Sequence, residues 1–186
     1  AQYHFSALNP SPDGLFAERE VNELLAKYPR VTEAICEQIV EMARDRQGVM
    51  LFAASVKHAK EILGYLPEGE AELVIADTDA KQRTEIINRF KQRQIKYLVN
   101  VAVLTTGFDA PHVDVIGILR PTQSVSLFQQ MVGRGLRLSE GKTECLIIYY
   151  ANNGIDLFDP EVGTPKPAPD TEPVQVFCPL CHFANL

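Results

Sequence analysis

Five short, largely apolar runs, separated by stretches whose apolar positions recur every three or four residues, leave this chain few folds to adopt. The runs are "GVMLFAAS" from Gly48, "AELVIAD" from Ala71, "IKYLVNVAVL" from Ile95, "VDVIGIL" from Val113 and "TECLIIYY" from Thr143. Runs of this kind, apolar on both alternating faces, are those of strands covered on either side. Between them, Val31, Ile35, Ile39 and Met42 fall at helical spacing behind Pro29, and "VKHAKEILGYL" reads as a helix stopped by Pro67 and Gly69. "DAKQRTEIINRFKQRQ" is a helix with Ile86, Ile87 and Phe90 inward, and "SVSLFQQMVGRGLRL" is expected to be a helix over 124–138. Strand-then-helix alternation predicts an α/β fold, a mostly parallel sheet with helices on both faces. Ligands of such sheets gather at the carboxyl ends of the strands.

The flanks differ. Residues 1–29 read as a lead-in with one short acidic helix from about Leu15 to Ala26, and 30–152 as the folded domain. "NNGIDLFDPEVGTPKPAPDTEPVQ" is rich in proline, glycine and acid, so 153–177 reads as an extended arm. Hydrophobic content of 46% and charged content of 23% are those of a globular protein, and no apolar run is long enough to cross a bilayer. No basic-then-apolar leader opens the chain, and four cysteines do not make a disulfide scaffold, which points to a reducing cytosol. With a net charge of -6, attraction to nucleic acid has to come from a local basic patch.

Two stretches at or beyond the carboxyl edge carry chemistry. In "QQMVGRGLRL", Gln130, Arg134 and Arg137 would share one helix face, presenting an amide and two guanidinium groups in one direction. Glycines at Gly133 and Gly135 each cost about 1 kcal/mol of helix stability, which suggests a steric demand, and arginine's planar fork suits phosphate. The same residues also fit a solvated basic helix end. In "TTGFDAP", Gly107 permits a tight turn, and the stiff Ala110-Pro111 pair fixes the chain just past Asp109. That carboxylate would accept from a ribose hydroxyl, hold a structural arginine or serve only the turn.

The order of these stretches narrows the choice. "VNVAVLTTGFDAP" followed by a strand and "QQMVGRGLR" resembles motifs V and VI of superfamily 2 helicases and translocases. "LFAASVKHA" is similar to motif IV, and "IADTDAKQR" to the motif between. These are landmarks of the second RecA-like motor domain, spanning about Gly48 to Tyr150. The wording is closest to bacterial translocases related to restriction-enzyme motor subunits. The whole chain, with its tail "VQVFCPLCHFAN", resembles the C-terminal motor domain of the RadD (YejH) family of bacterial DNA helicase-like proteins.

The resemblance implies a RecA-like fold and specific roles. Arg134 and Arg137 would approach the γ-phosphate of ATP bound mainly to a first motor domain, acting as arginine fingers in DNA-dependent ATP hydrolysis that serves repair. Gln130 would organise that interface, Gly133 would border the bound nucleotide, and Gly107 and Asp109 would couple the nucleotide to the strand. Thr78, Thr105 and Thr106 would meet the DNA phosphate backbone, a plain turn role being equally open for each.

The chain has no "GxxxxGK[ST]" loop and no "DExH"-like quartet, so ATP and Mg²⁺ would be held by the N-terminal RecA-like domain of the same polypeptide. Alone it is expected to be inactive. A rival reading is a non-catalytic interaction module that docks a partner through the proline-rich arm.

Cys178 and Cys181 have the knuckle spacing of a zinc ribbon, but only two ligands stand before Leu186, so 178–186 reads as the incomplete start of a Zn²⁺ module. Cys36 and Cys145 fit core positions, and His4, His58 and His112 have no convergent partners and read as structural. Lys81, Arg83, Arg89, Lys91, Arg93 and Lys96 form a basic run, most of it a solvated helix face.

Overall fold

A computed structural model describes residues 1–101, 108–151 and 155, and the backbone of residues 176–177 and 184–185. The elements, in chain order, are α1 Glu18–Leu25, α2 Pro29–Met42, β1 Val49–Phe52, α3 Val56–Tyr65, β2 Ala71–Val74, α4 Ala80–Lys91 and β3 Tyr97–Asn100. They continue with β4 Val115–Ile118, α5 Val125–Gly133, β5 Leu146–Tyr149, β6 Val176–Phe177 and β7 Ala184–Asn185. Five strands form one wholly parallel sheet in the order β2-β3-β1-β4-β5. The expected α/β sheet with helices on both faces is what the chain forms. Every expected strand and helix has its counterpart, shorter by a few residues at the ends.

Strand periodicity sorts the core. Val49 and Leu51 of β1, with Tyr97, Val99 and Val115, face the layer of α1, α2 and α3, where Val21, Leu25, Ile35, Ile39 and Ile62 are buried. The alternate residues Met50, Phe52, Leu98, Ile116 and Ile118 face α4 and α5 through Ile86, Phe90, Phe128, Met131 and Val132. Side chains that point to opposite faces at every second residue make this division unavoidable once both faces are covered.

Three helices begin at the carboxyl edge of the sheet, each capped by the residue before it. Ser55 Oγ accepts from the His58 amide at the start of α3. Asp79 accepts from the Lys81 and Gln82 amides at the start of α4, and Ser124 from the Leu127 amide at the start of α5. Such caps are each worth about 1 kcal/mol, and they fix where the chain turns from strand to helix.

The lead-in is built into the domain. Tyr3 and Phe5 are buried in the same cluster as α2 and α3, and the Tyr3 amide donates to the Tyr150 carbonyl at 2.7 Å. The Tyr3 hydroxyl lies 3.1 Å from Thr32 Oγ1 and 2.9 Å from His58 Nε2. Two isolated aromatics in a polar segment carry no periodic signal, so their burial is not visible before the fold is known. At the other end, β6 and β7 pair antiparallel, Val176 opposite Asn185. Cys178 and Cys181, between these strands, lie outside the described residues.

The basic run disperses. Arg89 pairs with Glu72, and Lys96 Nζ donates to the Arg44 carbonyl at the amino edge of the sheet. Arg83 Nη2 donates to the carbonyls of Ile75, Ala76 and Thr78 at 3.0–3.3 Å.

Candidate functional site

The arginine stretch departs from the helix expected for it. Helix α5 buries Phe128, Met131 and Val132, spaced as one helical face, and ends at Gly133. Arg134 is the cap residue, and Arg137 lies beyond the helix, so the two arginines and Gln130 do not share a helix face. The cause is Gly135. A Cβ there would stand 2.3 Å from Cys145 Sγ and 2.8 Å from Ile116 Cγ1, so the backbone leaves the helix axis to lie directly on the sheet. The steric demand inferred for the glycines is real at Gly135, and it is internal. At Gly133 a Cβ would meet nothing within 4 Å.

The arginines nevertheless converge. Arg134 Nη1 donates to the Phe108 carbonyl oxygen at 2.8 Å and Arg137 Nη1 to the same atom at 3.2 Å. Arg137 also pairs with Asp109, whose side chain is 65% exposed. Of the three roles open to Asp109, holding an arginine is the one the fold displays. The turn that presents it is anchored on both sides. Phe108 and Ala110 are buried, Phe108 stacks near Phe90 with ring centroids 6.2 Å apart, and the Val113 amide donates to the Ala110 carbonyl. Burial first, and the Arg137 charge second, pull the Arg134 guanidinium below its ordinary value. Two neighbouring cations of this kind gain from an anion brought between them.

Gln130 is exposed one turn before Arg134, its Nε2 donating to Ser126 Oγ at 3.3 Å. Thr78 serves a turn: its Oγ1 accepts from the Ile75 amide at 2.9 Å, beside the carbonyls that Arg83 holds. It follows β2, three strand positions from β4, hence about 14 Å along the edge from the strand that leads into α5. Thr105, Thr106 and Gly107 lie outside the described residues, as do Cys178 and Cys181. Among the described residues no group of three or more His, Cys, Asp or Glu is placed to hold a metal ion.

Two cations take places that the sequence does not reveal. Arg83, expected on a solvated face, ties down the turn after β2. Arg120, half-buried just past the carboxyl end of β4, has a buried Nε with no hydrogen-bond partner, and burial pulls its guanidinium below its ordinary value. A lone arginine behind an apolar run gives no periodic signal for it. Of the histidines, His58 bonds the Tyr3 hydroxyl and the Ala54 amide, and His112 packs on Phe90 with ring centroids 4.9 Å apart.

The chain matches the helicase conserved C-terminal domain over residues 30–139. It is 35% identical over 136 residues to the irc3 protein of Schizosaccharomyces pombe, which bears the name of a mitochondrial ATP-dependent helicase. That alignment covers 70% of this chain and 22% of the relative. It is 30% identical over 161 residues to the type I restriction enzyme EcoKI endonuclease subunit of Escherichia coli, covering 74% of this chain and 14% of that protein. The chain therefore spans about a fifth or less of the relatives' length. Among solved structures it is similar to Mss116p DEAD-box helicase domain 2 bound to an RNA duplex, at a TM-score of 0.53 and 20% identity, covering 67% of this chain and 51% of that one. A second is the E. coli DEAD-box protein SrmB bound to regulator of ribonuclease activity A, at a TM-score of 0.55 and 18% identity, covering 64% and 72%. At these identities the structural likeness shows the fold.

Proposed function

Since the chain belongs to the helicase conserved C-terminal domain family of superfamily 2, we propose that it is the second motor domain of an ATP-dependent DNA helicase or translocase of the RadD type, working in repair in the bacterial cytoplasm. The observation that carries this reading is the meeting of Arg134 and Arg137 on one carbonyl oxygen at an exposed edge of the sheet. Two guanidinium groups fixed on a single oxygen are spaced to take a phosphoryl oxygen in its place. ATP with Mg²⁺, held mainly by the first RecA-like domain of the same polypeptide, supplies the transferring group. Arg134 and Arg137 offset the charge that develops on it, and Gln130 and Gly133 lie on the docking side. Open space above Gly133 and the exposure of Leu136 and Leu138 leave room and apolar surface for that neighbour.

Asp109 and Gly107 couple the nucleotide to the strand, and Thr78, Thr105 and Thr106 meet the DNA backbone. The restriction-enzyme relative favours DNA as the nucleic acid. Cys178 and Cys181 have the spacing of two thiolate ligands of a Zn²⁺ module. The arginine segment offers guanidiniums for an outer phosphate. That fits a division of labour in which this domain completes a pocket seated elsewhere.

The test is the rate of ATP hydrolysis, with and without DNA or RNA, by the 186-residue chain and by the protein carrying both motor domains. The expected result is negligible turnover by the chain and DNA-stimulated turnover by the two-domain protein. Robust hydrolysis by the chain alone, abolished by Arg137→Ala, would overturn it.

A further inference from the structure

The segment that bears the arginines is held from beneath by a residue outside every motif. Lys142 Nζ donates to the carbonyl oxygens of Gly135 at 2.5 Å, Arg137 at 2.8 Å and Pro111 at 3.2 Å. An ammonium has three protons, and three carbonyls take them. Because α5 ends at Gly133, the carbonyls of Gly135 and Arg137 have no helical partner, and Lys142 supplies one. Gly141 makes this possible. Its φ of 75° reverses the chain after Ser139, whose carbonyl accepts from the Lys142 amide, and returns the side chain under the segment it has just left.

The third carbonyl matters most for function. Pro111 belongs to the turn that presents Phe108 and Asp109. The guanidiniums tie the arginine segment to this turn by their side chains, and Lys142 ties the two backbones together. Among the described residues Lys142 forms no ion pair, so its charge stays on the same side of the balance as those of Arg134 and Arg137.

We propose that Lys142 is a positioning residue for ATP hydrolysis, fixing the backbone from which Arg134 and Arg137 reach the transferring phosphoryl group. This rests on the arginine-finger reading above. Misplacement of a catalytic group by about 1 Å costs on the order of 100-fold in rate. Loss of Lys142 therefore lowers kcat and leaves the binding of ATP, which belongs to the first domain, nearly untouched.

The experiment is steady-state ATP hydrolysis by the full-length protein carrying both motor domains, comparing Lys142→Met, Arg137→Ala and the double variant. Lys142→Met is expected to lower kcat about 10-fold or more with KM for ATP within about 2-fold, and to cost clearly less in the Arg137→Ala background, where only Arg134 is left to position. If Lys142→Met does not accumulate as folded protein, Lys142→Gln, which keeps two donors, replaces it in the same comparison. An equal fold-loss of kcat in both backgrounds, or an unchanged kcat in Lys142→Met where Arg137→Ala lowers it, overturns the positioning role alone. An unchanged kcat in Arg137→Ala overturns the arginine-finger reading and the positioning role with it.

Discussion

Arg134 and Arg137 donate to one atom, the carbonyl oxygen of Phe108, although one caps a helix and the other lies past its end. A carbonyl oxygen has two lone pairs, and each guanidinium has further donors beyond the one spent here. The additional pairing of Arg137 with Asp109 lies at the surface, the two side chains being 40% and 65% exposed. Exposed pairs are worth about 0–1 kcal/mol, so a phosphate arriving at this edge displaces it at little cost. The arginines are thus bonded internally yet remain at an open edge of the sheet.

Arg137→Ala is expected to lower kcat of the two-domain protein by about 1,000-fold, as removal of an arginine finger does, while the stability of the isolated chain stays within about 1 kcal/mol of the original. Arg137→Lys keeps the charge and loses the fork, and falls between. Steady-state hydrolysis and urea unfolding check the two halves. A fall in stability that matches the fall in rate would place Arg137 in the fold and remove it from the chemistry.

The two glycines beside Arg134 should part company. Gly135→Ala forces a methyl group to within 2.3 Å of Cys145 Sγ and 2.8 Å of Ile116. Overpacking of this kind costs about 1–3 kcal/mol. Gly133→Ala meets open space at a helical position and should stabilise the isolated chain by about 0.5–1 kcal/mol. Thermal unfolding of both variants decides it. If Gly133→Ala also slows hydrolysis in the two-domain protein, the open space is where the other lobe sits.

Elements that carry a period are legible in the sequence alone. Apolar runs and 3.6-residue spacing locate the strands and helices, because both faces of the sheet must be covered. The helix expected over 124–138 is too long because its true end is set by the contact of Gly135 with Ile116 and Cys145, which no local pattern encodes. Arg137 and Asp109 stand 28 residues apart, and only the order of the motifs suggests that they belong to one site. Lys142 is hidden for the opposite reason: two of its three partners are near in sequence, but a lysine after Glu-Gly looks like any solvated turn.

Acid should weaken the fold through His58. Burial lowers its pKa from 6.5 to about 4, and the Tyr3 hydroxyl is its neighbour at 2.9 Å. Above pH 6.5 the ring is neutral in both folded and unfolded chains. Between pH 6.5 and 4 the unfolded chain takes up a proton that the folded chain refuses, so stability falls as pH falls. Below that window the loss levels off at about 3 kcal/mol. Urea midpoints at about pH 7 and about pH 4.5 should differ less for His58→Gln than for the original chain. Equal differences in the two proteins would clear His58 of the effect.

Asp114 offers a stability test at the amino edge of the sheet. It stands just before β4 and is 5% exposed. One carboxylate oxygen accepts from the Gln47 and Gly48 amides at 3.0 Å, and the other from the Gln47 amide at 2.9 Å, so the carboxylate ties the chain entering β1 to the chain entering β4. Asp114→Ala leaves those amides without their partner in a buried place, at a cost of about 2–4 kcal/mol, since bonds to a charged acceptor are worth about 1.5–3 kcal/mol each. Asp114→Asn retains one oxygen acceptor and should lose roughly half as much. Urea unfolding of the isolated chain measures both. In the two-domain protein, hydrolysis per folded molecule should be unchanged in Asp114→Asn, because its carboxylate accepts from the Gln47 and Gly48 amides and from none of the groups that hold the arginine segment. A specific loss of kcat in that variant would mean that the arginine segment is not governed by its direct contacts alone.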